Sequence, residues 1–587
     1  MNNAVQYTLS APEPASHRFV VRIDIPQPDA AGQCLTLPAW IPGSYLVRDF
    51  ARHVGKVRAS SGEQVVNVSK TDKSSWRCEP VRGPLVVEYD VYAWDLSVRG
   101  AHLDATHGFC NGANVFLAVN GQENAPLLVQ LNEPGNTQGW RVATTLPRDD
   151  VAPWGFGLYR AADYDELLDH PIEMGDFDVV DCEVVGVPHR VVLTGRHHCN
   201  SERLAMDVAK ICAEQVGLFG ELPAMPEYLF LTRVLGEGYG GLEHRSSTAL
   251  MCSRKQLPGS EPTVSKSYRQ FLGLVSHEYF HLWNVKRIKP AAFTPYELAA
   301  ESYTELLWVF EGITSYYDDL ALVRSGTISF ADYLTLLGET ISRVLSVPSH
   351  RWQTLAESSF DAWTKFYKPT PDSPNSIVSY YAKGALVALL LDLTLRERTV
   401  GKTSLDDVMR AMWQRYGATG RGVPEDGFEN MAESVSGLDL GDFFERYIRT
   451  TAELDLERAL STVGVRLRDA TGGPQAMIGL ALKRGSTRIA TIERDSPAEQ
   501  AGLAPGDLLI ALADLRVTQN SLSEILAPLV PGKPISAHVF RDDELLTLEI
   551  TPKAAAARAF KVTPVEDATA AQTAARKSWL ASNVAST

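Results

Sequence analysis

The sequence predicts a multidomain α+β protein, on three observations. Its 587 residues exceed what a single hydrophobic core serves, so three or more domains are expected. Apolar residues alternate with polar ones through the first part of the chain, then recur at helical spacing through the middle. Short strand-like runs return after residue 460, separated by glycine- and proline-bearing turns.

Taken in order, residues 1–175 form an N-terminal β domain. In HRFVVRIDIP, Phe19, Val21, Ile23 and Ile25 alternate with mostly polar neighbours, and PLVVEYDVYAW repeats the pattern, which suits a β-sandwich-like unit. Within it, LPAWIPGSYLVRDF is a turn-rich aromatic loop, and no catalytic constellation is expected in this domain. Residues 176–458 are mixed, then mostly helical: RVVLTG and EYLFLTRVLG are strands, while 265–285, 298–320 and 378–397 are helices. Helical patterning continues through SLDDVMRAMWQRY and LGDFFERYI. Residues 459–553 form a compact β-rich module containing SPAEQAGLAPGD and the helical run SLSEILAPLV. From Ala554 to 587 the chain is Ala-rich, a short helix near RKSWLAS or a flexible tail.

Composition excludes several classes. A net charge of −15 is the wrong sign for a nucleic-acid surface, which needs a basic excess. No apolar run approaches the length of a membrane span. The seven cysteines are odd in number and scattered without a CxxC pair, as expected of free thiols in a reducing compartment. MNNAVQYTLSAPEPASHRF has no basic segment followed by an apolar one, so a cytoplasmic location is expected.

The chemistry concentrates in FLGLVSHEYFHLWNVKRIKP. On a helix, residues four apart lie one turn apart on the same face, so His277 and His281 can hold one metal ion. Glu278 projects beside them, placed to act as a general base toward water. Catalytic zinc takes three protein ligands and keeps one position open. Glu311 is the expected third, because a carboxylate inside LLWVFEGI is costly unless paired or metal-bound. Glu305, Asp318 and Asp319 sit in more polar surroundings, and Asp318 is instead a candidate partner for a ligating histidine. Attack on an amide also needs a donor for the oxyanion. Tyr380 and Tyr381 begin the apolar helix SIVSYYAKGALVALLLDL, but adjacent residues cannot share a face, and periodicity does not choose between them.

HEYFH, WVFEG and YAKGA together resemble the gluzincin aminopeptidases, with their thermolysin-like catalytic domain. Within that clan, WIPGSYLVRDFAR, LDHPIEMG, GGLEHRSS, HEYFHLWNVKRIKP, LWVFEGITSYYDD and SGLDLGDFFERYI resemble the glycyl aminopeptidase family, which joins an N-terminal β domain, a peptidase and a PDZ domain. The resemblance implies one catalytic zinc ion held by His277, His281 and Glu311, Glu278 as general base, and Tyr381 as oxyanion donor. It also implies that Glu243 in GGLEH anchors a substrate's α-ammonium, although Leu242 and His244 depart from the Gly-x-Met-Glu-Asn pattern of related aminopeptidases. The preceding EGYGG turn, with Gly240 and Gly241, lets a substrate backbone approach closely. A fixed carboxylate there pairs with a protonated N-terminus and limits cutting to the first residue. A preference for Gly or Ala at that residue comes from the resemblance alone.

SPAEQAGLAPGD also resembles bacterial PDZ domains, which take a peptide as an added strand, with IGLAL as the carboxylate-binding loop. This PDZ-like module would dock peptides or mediate self-association. Two competing expectations stand beside the aminopeptidase: a zinc endopeptidase with PDZ-mediated docking, and a non-catalytic PDZ scaffold on a relic peptidase fold.

Overall fold

Alternation in the N-terminal region does produce strands. The computed structural model describes residues 4–584 apart from 136, 472–475 and 556–557. Val5–Ser10, Arg18–Ile25 and Leu85–Tyr92 are neighbours in a seven-stranded sheet, and every second residue of each is buried. Two four-stranded sheets share the apolar core of this one. The result is a β-rich N-terminal domain followed by a helical catalytic domain.

The second part opens on a five-stranded sheet. Val187–Thr194 runs parallel to Tyr228–Leu235, and the helix Ser201–Phe219 makes the crossover that parallel pairing requires. Asn200 caps that helix by accepting from the Arg203 amide, and Gly220 closes it in the left-handed conformation. The sheet ends in a four-residue edge strand, Gly240–Glu243, antiparallel to Ser247–Ser253. Beneath that edge lies the helix Lys266–Phe280, capped by Ser265 and carrying HEYFH at its C-terminal end.

The helices that follow begin later than their periodicity suggests. Residues 298–306 are irregular rather than helical, because tertiary partners take their backbone groups. Trp40 Nε1 donates to the carbonyls of Glu297 and Ala300, the Leu298 carbonyl accepts from Ala39, and the Glu305 amide donates to Glu425. Helical structure starts with a π-helical turn, Trp308–Gly312, and continues as Ile313–Arg324. The YAKGA helix spans Ala382–Arg398. The two helices cross at Gly312 and Gly384, so closely that a β-carbon on Gly312 would stand 2.6 Å from the Gly384 α-carbon. Only glycine permits that approach, and it places the Glu311 turn directly against the start of the YAKGA helix.

The β-rich module has its own small core, including Ile478, Ile489, Leu509 and Val539. A four-stranded sheet and a two-stranded ribbon, Leu480–Leu482 with Ile489–Ile492, enclose it. Its joint to the catalytic domain is Asn375, whose side chain donates to the Ile492 carbonyl and accepts from the Arg494 amide, both at 2.9 Å. The chain then returns: Phe560–Pro564 pairs with Val465–Asp469, and the helix Ala570–Trp579 lies on the catalytic domain. Trp579 is fully buried, with Nε1 on the Tyr316 hydroxyl and its carbonyl gripped by Arg324, which also pairs with Asp406.

Candidate active site

The HEYFH helix presents both imidazoles toward the Glu311 turn. His277 Nε2 and His281 Nε2 lie 3.6 and 3.3 Å from Glu311 Oε2, and one donor atom from each of the three residues falls within 4.8 Å of the others. Each ring is fixed from behind. His277 Nδ1 meets Asp318 Oδ2 at 3.0 Å, and His281 Nδ1 meets the Asn284 carbonyl at 2.8 Å. Such backing orients a ligating imidazole and raises its basicity. Burial alone would raise Glu311, but His281 and His277 hold its carboxyl well below the ordinary range, so it is ionised as a ligand must be. The donor set, two nitrogens and one carboxylate, therefore fits a catalytic zinc ion.

The π-helical turn explains how Glu311 reaches this position. A turn of that width leaves carbonyls without their usual partners, and such turns cluster at functional sites. Here the Asn284 amide donates to the carbonyls of Val309 and Phe310 and to the Thr314 hydroxyl. Asn284 thus ties the end of the HEYFH helix to the Glu311 turn, while its backbone orients His281.

Glu278 lies on the side of the edge strand. A β-carbon on Gly241 would stand 2.0 Å from Glu278 Oε1, so the glycine makes the space that Glu278 occupies. Burial, with Glu243 and Glu311, raises the Glu278 carboxyl to about 7 against the opposing pull of His277 and His281. A value near neutrality suits a group that takes a proton and gives it back. Glu243 joins the same cluster: it, Glu278 and His281 each offer an atom within 4.8 Å of the others. Glu243 Oε1 and Glu278 Oε2 are buried with no hydrogen-bond partner among the described residues, an arrangement that awaits a cationic or proton-donating ligand.

The two adjacent tyrosines stack, 4.7 Å between ring centroids, yet differ in exposure. Tyr380 is fully buried and packs on Phe366 and Tyr45. Tyr381 lies 6.1 Å from the His277 ring, centroid to centroid. Its hydroxyl is 3.1 Å from that of Tyr367, and with Asp318 and Tyr239 it lines a cleft of about 360 Å³.

The N-terminal domain, where the sequence shows no catalytic constellation, nevertheless reaches the site. Tyr45, from the WIPGSY loop, donates its hydroxyl to Glu311 Oε1 at 2.8 Å, and a side chain at Gly43 would collide with the Glu243 carboxylate. Arg99 of the same domain donates to the Gly241 carbonyl at 3.2 Å. Aromatic density in the loop is the one sequence signal that pointed toward it.

The Peptidase M61 N-terminal domain matches residues 6–176, and the M61 glycyl aminopeptidase domain matches residues 270–387. The crystal structure of an aminopeptidase N family protein from Idiomarina loihiensis superposes with a TM-score of 0.94 at 40% identity, covering 98% of this chain and 100% of that one. The chain belongs to the M61 glycyl aminopeptidase family. An M1 zinc metallopeptidase from Deinococcus radiodurans is more distant, with a TM-score of 0.47 and 16% identity over 77% of this chain and 95% of that one. No curated protein matches the chain. As an M61 member the protein is a peptidase, and the M61 catalytic match contains HEYFH, Glu311 and YAKGA.

Proposed function

We propose that this M61 peptidase is a zinc-dependent aminopeptidase that releases N-terminal residues, small ones such as Gly or Ala, from peptides. The observation that carries the exopeptidase reading is Glu243. Its buried, unpartnered carboxylate oxygen lies beside Glu278 and His281 at the end of a glycine-bearing edge strand. A substrate α-ammonium supplies the missing partner and places the first peptide bond over the ligand cluster. Gly43 closes in on the same carboxylate, leaving little space beyond the substrate's N-terminus.

His277, His281 and Glu311 would hold the ion, which when bound polarises the scissile carbonyl and makes water more acidic. Glu278 takes the proton of the attacking water and delivers it to the departing amine. The Tyr381 hydroxyl donates to the developing oxyanion. Tyr45 and Asp318 keep the ligand side chains in register throughout. In the PDZ-like module the edge of Leu480–Leu482 left unpaired among the described residues would accept an extended peptide as an added strand. Seven free cysteines are consistent with a cytoplasmic setting, and no helix of the described residues is long and apolar enough to cross a membrane.

A panel of aminoacyl-anilides, assayed with and without a chelator, tests the reading. Gly and Ala substrates should turn over fastest, chelation should abolish activity, and N-acetylated peptides should resist cleavage. Glu278→Gln should lower kcat by about 10²–10⁴-fold. Undiminished cleavage of acetylated peptides would make the protein an endopeptidase instead.

A further inference from the structure

The hairpin Ala101–Leu103 and His107–Cys110 of the N-terminal domain carries a second cluster of metal-ligating side chains, separate from the one just described. His102, Asp104 and His107 each offer a donor atom, all within 4.8 Å of one another. His102 Nδ1 and His107 Nε2 are only 2.9 Å apart. Both imidazoles are nearly inaccessible, at 5% and 1% exposure, in a setting that includes Val98, Phe109 and Leu231. At that distance the two rings share a hydrogen bond, and an ion held by both nitrogens would take its place.

Three further features fit a cation in that place. The far nitrogen of His107, Nδ1, faces Glu173 Oε1 at 3.3 Å. The catalytic cluster has the same construction in His277 and Asp318, a carboxylate behind a histidine whose other nitrogen looks into the site. The Asp104 carboxylate is rigidly set, because Oδ1 accepts from the Thr106 amide, the Thr106 hydroxyl and the His107 amide. Among the described residues, no hydrogen bond goes to its other oxygen. His102, His107 and Glu173 also line a cavity of about 20 Å³, room for one water-sized ligand.

We infer that His102, Asp104 and His107 form a second, non-catalytic metal site that binds a borderline divalent transition-metal ion such as zinc. Two imidazoles and one carboxylate suit zinc, cobalt or nickel, whereas calcium and magnesium prefer all-oxygen shells. The site has a structural position. Its hairpin pairs with Ile172–Gly175, which carries Glu173, and its cavity is walled on the other side by Leu231, Arg233 and Met251 of the catalytic domain's sheet. An ion there locks the hairpin at the junction between the N-terminal domain and that sheet, far in sequence from His277.

Metal content decides the matter, using the full chain dialysed against metal-free buffer after loading with zinc. Plasma mass spectrometry should find two zinc ions per wild-type chain. One should remain in His102→Ala/His107→Ala, and one in His277→Ala/His281→Ala. A single ion in the wild type, with none in the His277/His281 variant, overturns the second site and leaves His102, His107 and Glu173 as a hydrogen-bonded chain; the catalytic reading would be untouched. Should the His102/His107 variant fail to fold, the His277/His281 variant still decides. One zinc bound there, released in parallel with a fall in Tm on adding a chelator, supports the site, and none removes it.

Discussion

In the proposed reading, the residue that gives this site its direction is Glu243. Three ligands and a base would cut anywhere along a peptide, whereas a buried carboxylate at one end counts residues from the N-terminus. Glu243→Gln keeps the shape and removes the charge. The expected result is a fall of about 100-fold in kcat/KM on free-amine anilides, mostly through KM, with acetylated substrates much less affected. Unchanged kinetics on free-amine substrates would reject the anchoring role. At this scale much was legible in the sequence, because the chemistry is written locally: histidines four apart, and a carboxylate among large apolar residues. Tyr45 was not legible. It meets Glu311 across 266 residues, and nothing in WIPGSY announces a partner that distant. The choice between Tyr380 and Tyr381 likewise waited for the fold, since only packing shows which ring reaches the cleft.

At the scale of elements, the π-helical turn Trp308–Gly312 and its clasp matter most. Hydrophobic periodicity reports 3.6 residues per turn and does not register one widened turn, so the sequence predicts a regular helix from 298. What sets the real boundary is non-local: backbone groups before 308 are taken by Trp40, Ala39 and Glu425. Asn284 holds the widened turn in place while its carbonyl orients His281. Asn284→Ala should therefore weaken zinc retention by about 10–100-fold, the usual effect of losing an outer-sphere partner. Competition with a chromogenic chelator measures this, and unchanged affinity would show that Asn284 serves the fold alone. The polar character of Asn284 inside HLWNVKRI is a faint sequence signal for the role, visible only once the turn it satisfies is known.

At the scale of the whole molecule, domain order was legible and domain contact was not. Alternation, helical spacing and a return to short strands mark three regions, yet the way they share surfaces depends on pairs hundreds of residues apart. The Ala-rich stretch after 554 reads as a tail or short helix; in the fold it contributes a strand and a helix whose Trp579 enters the catalytic domain's core. Trp579→Ala should cost about 3–5 kcal/mol of stability, followed by chemical denaturation with a catalytic-domain probe. An unchanged midpoint would mean that the helix merely rests on the surface. This docking also bears on how the protein is made. Arg324 emerges from the ribosome 255 residues ahead of the carbonyl it grips, and at about 5–20 residues per second that gap lasts roughly 13–50 s. For the later part of that interval the catalytic domain is synthesised but lacks its closing partner. The catalytic domain therefore gains its last core residue only after the β-rich module has been synthesised.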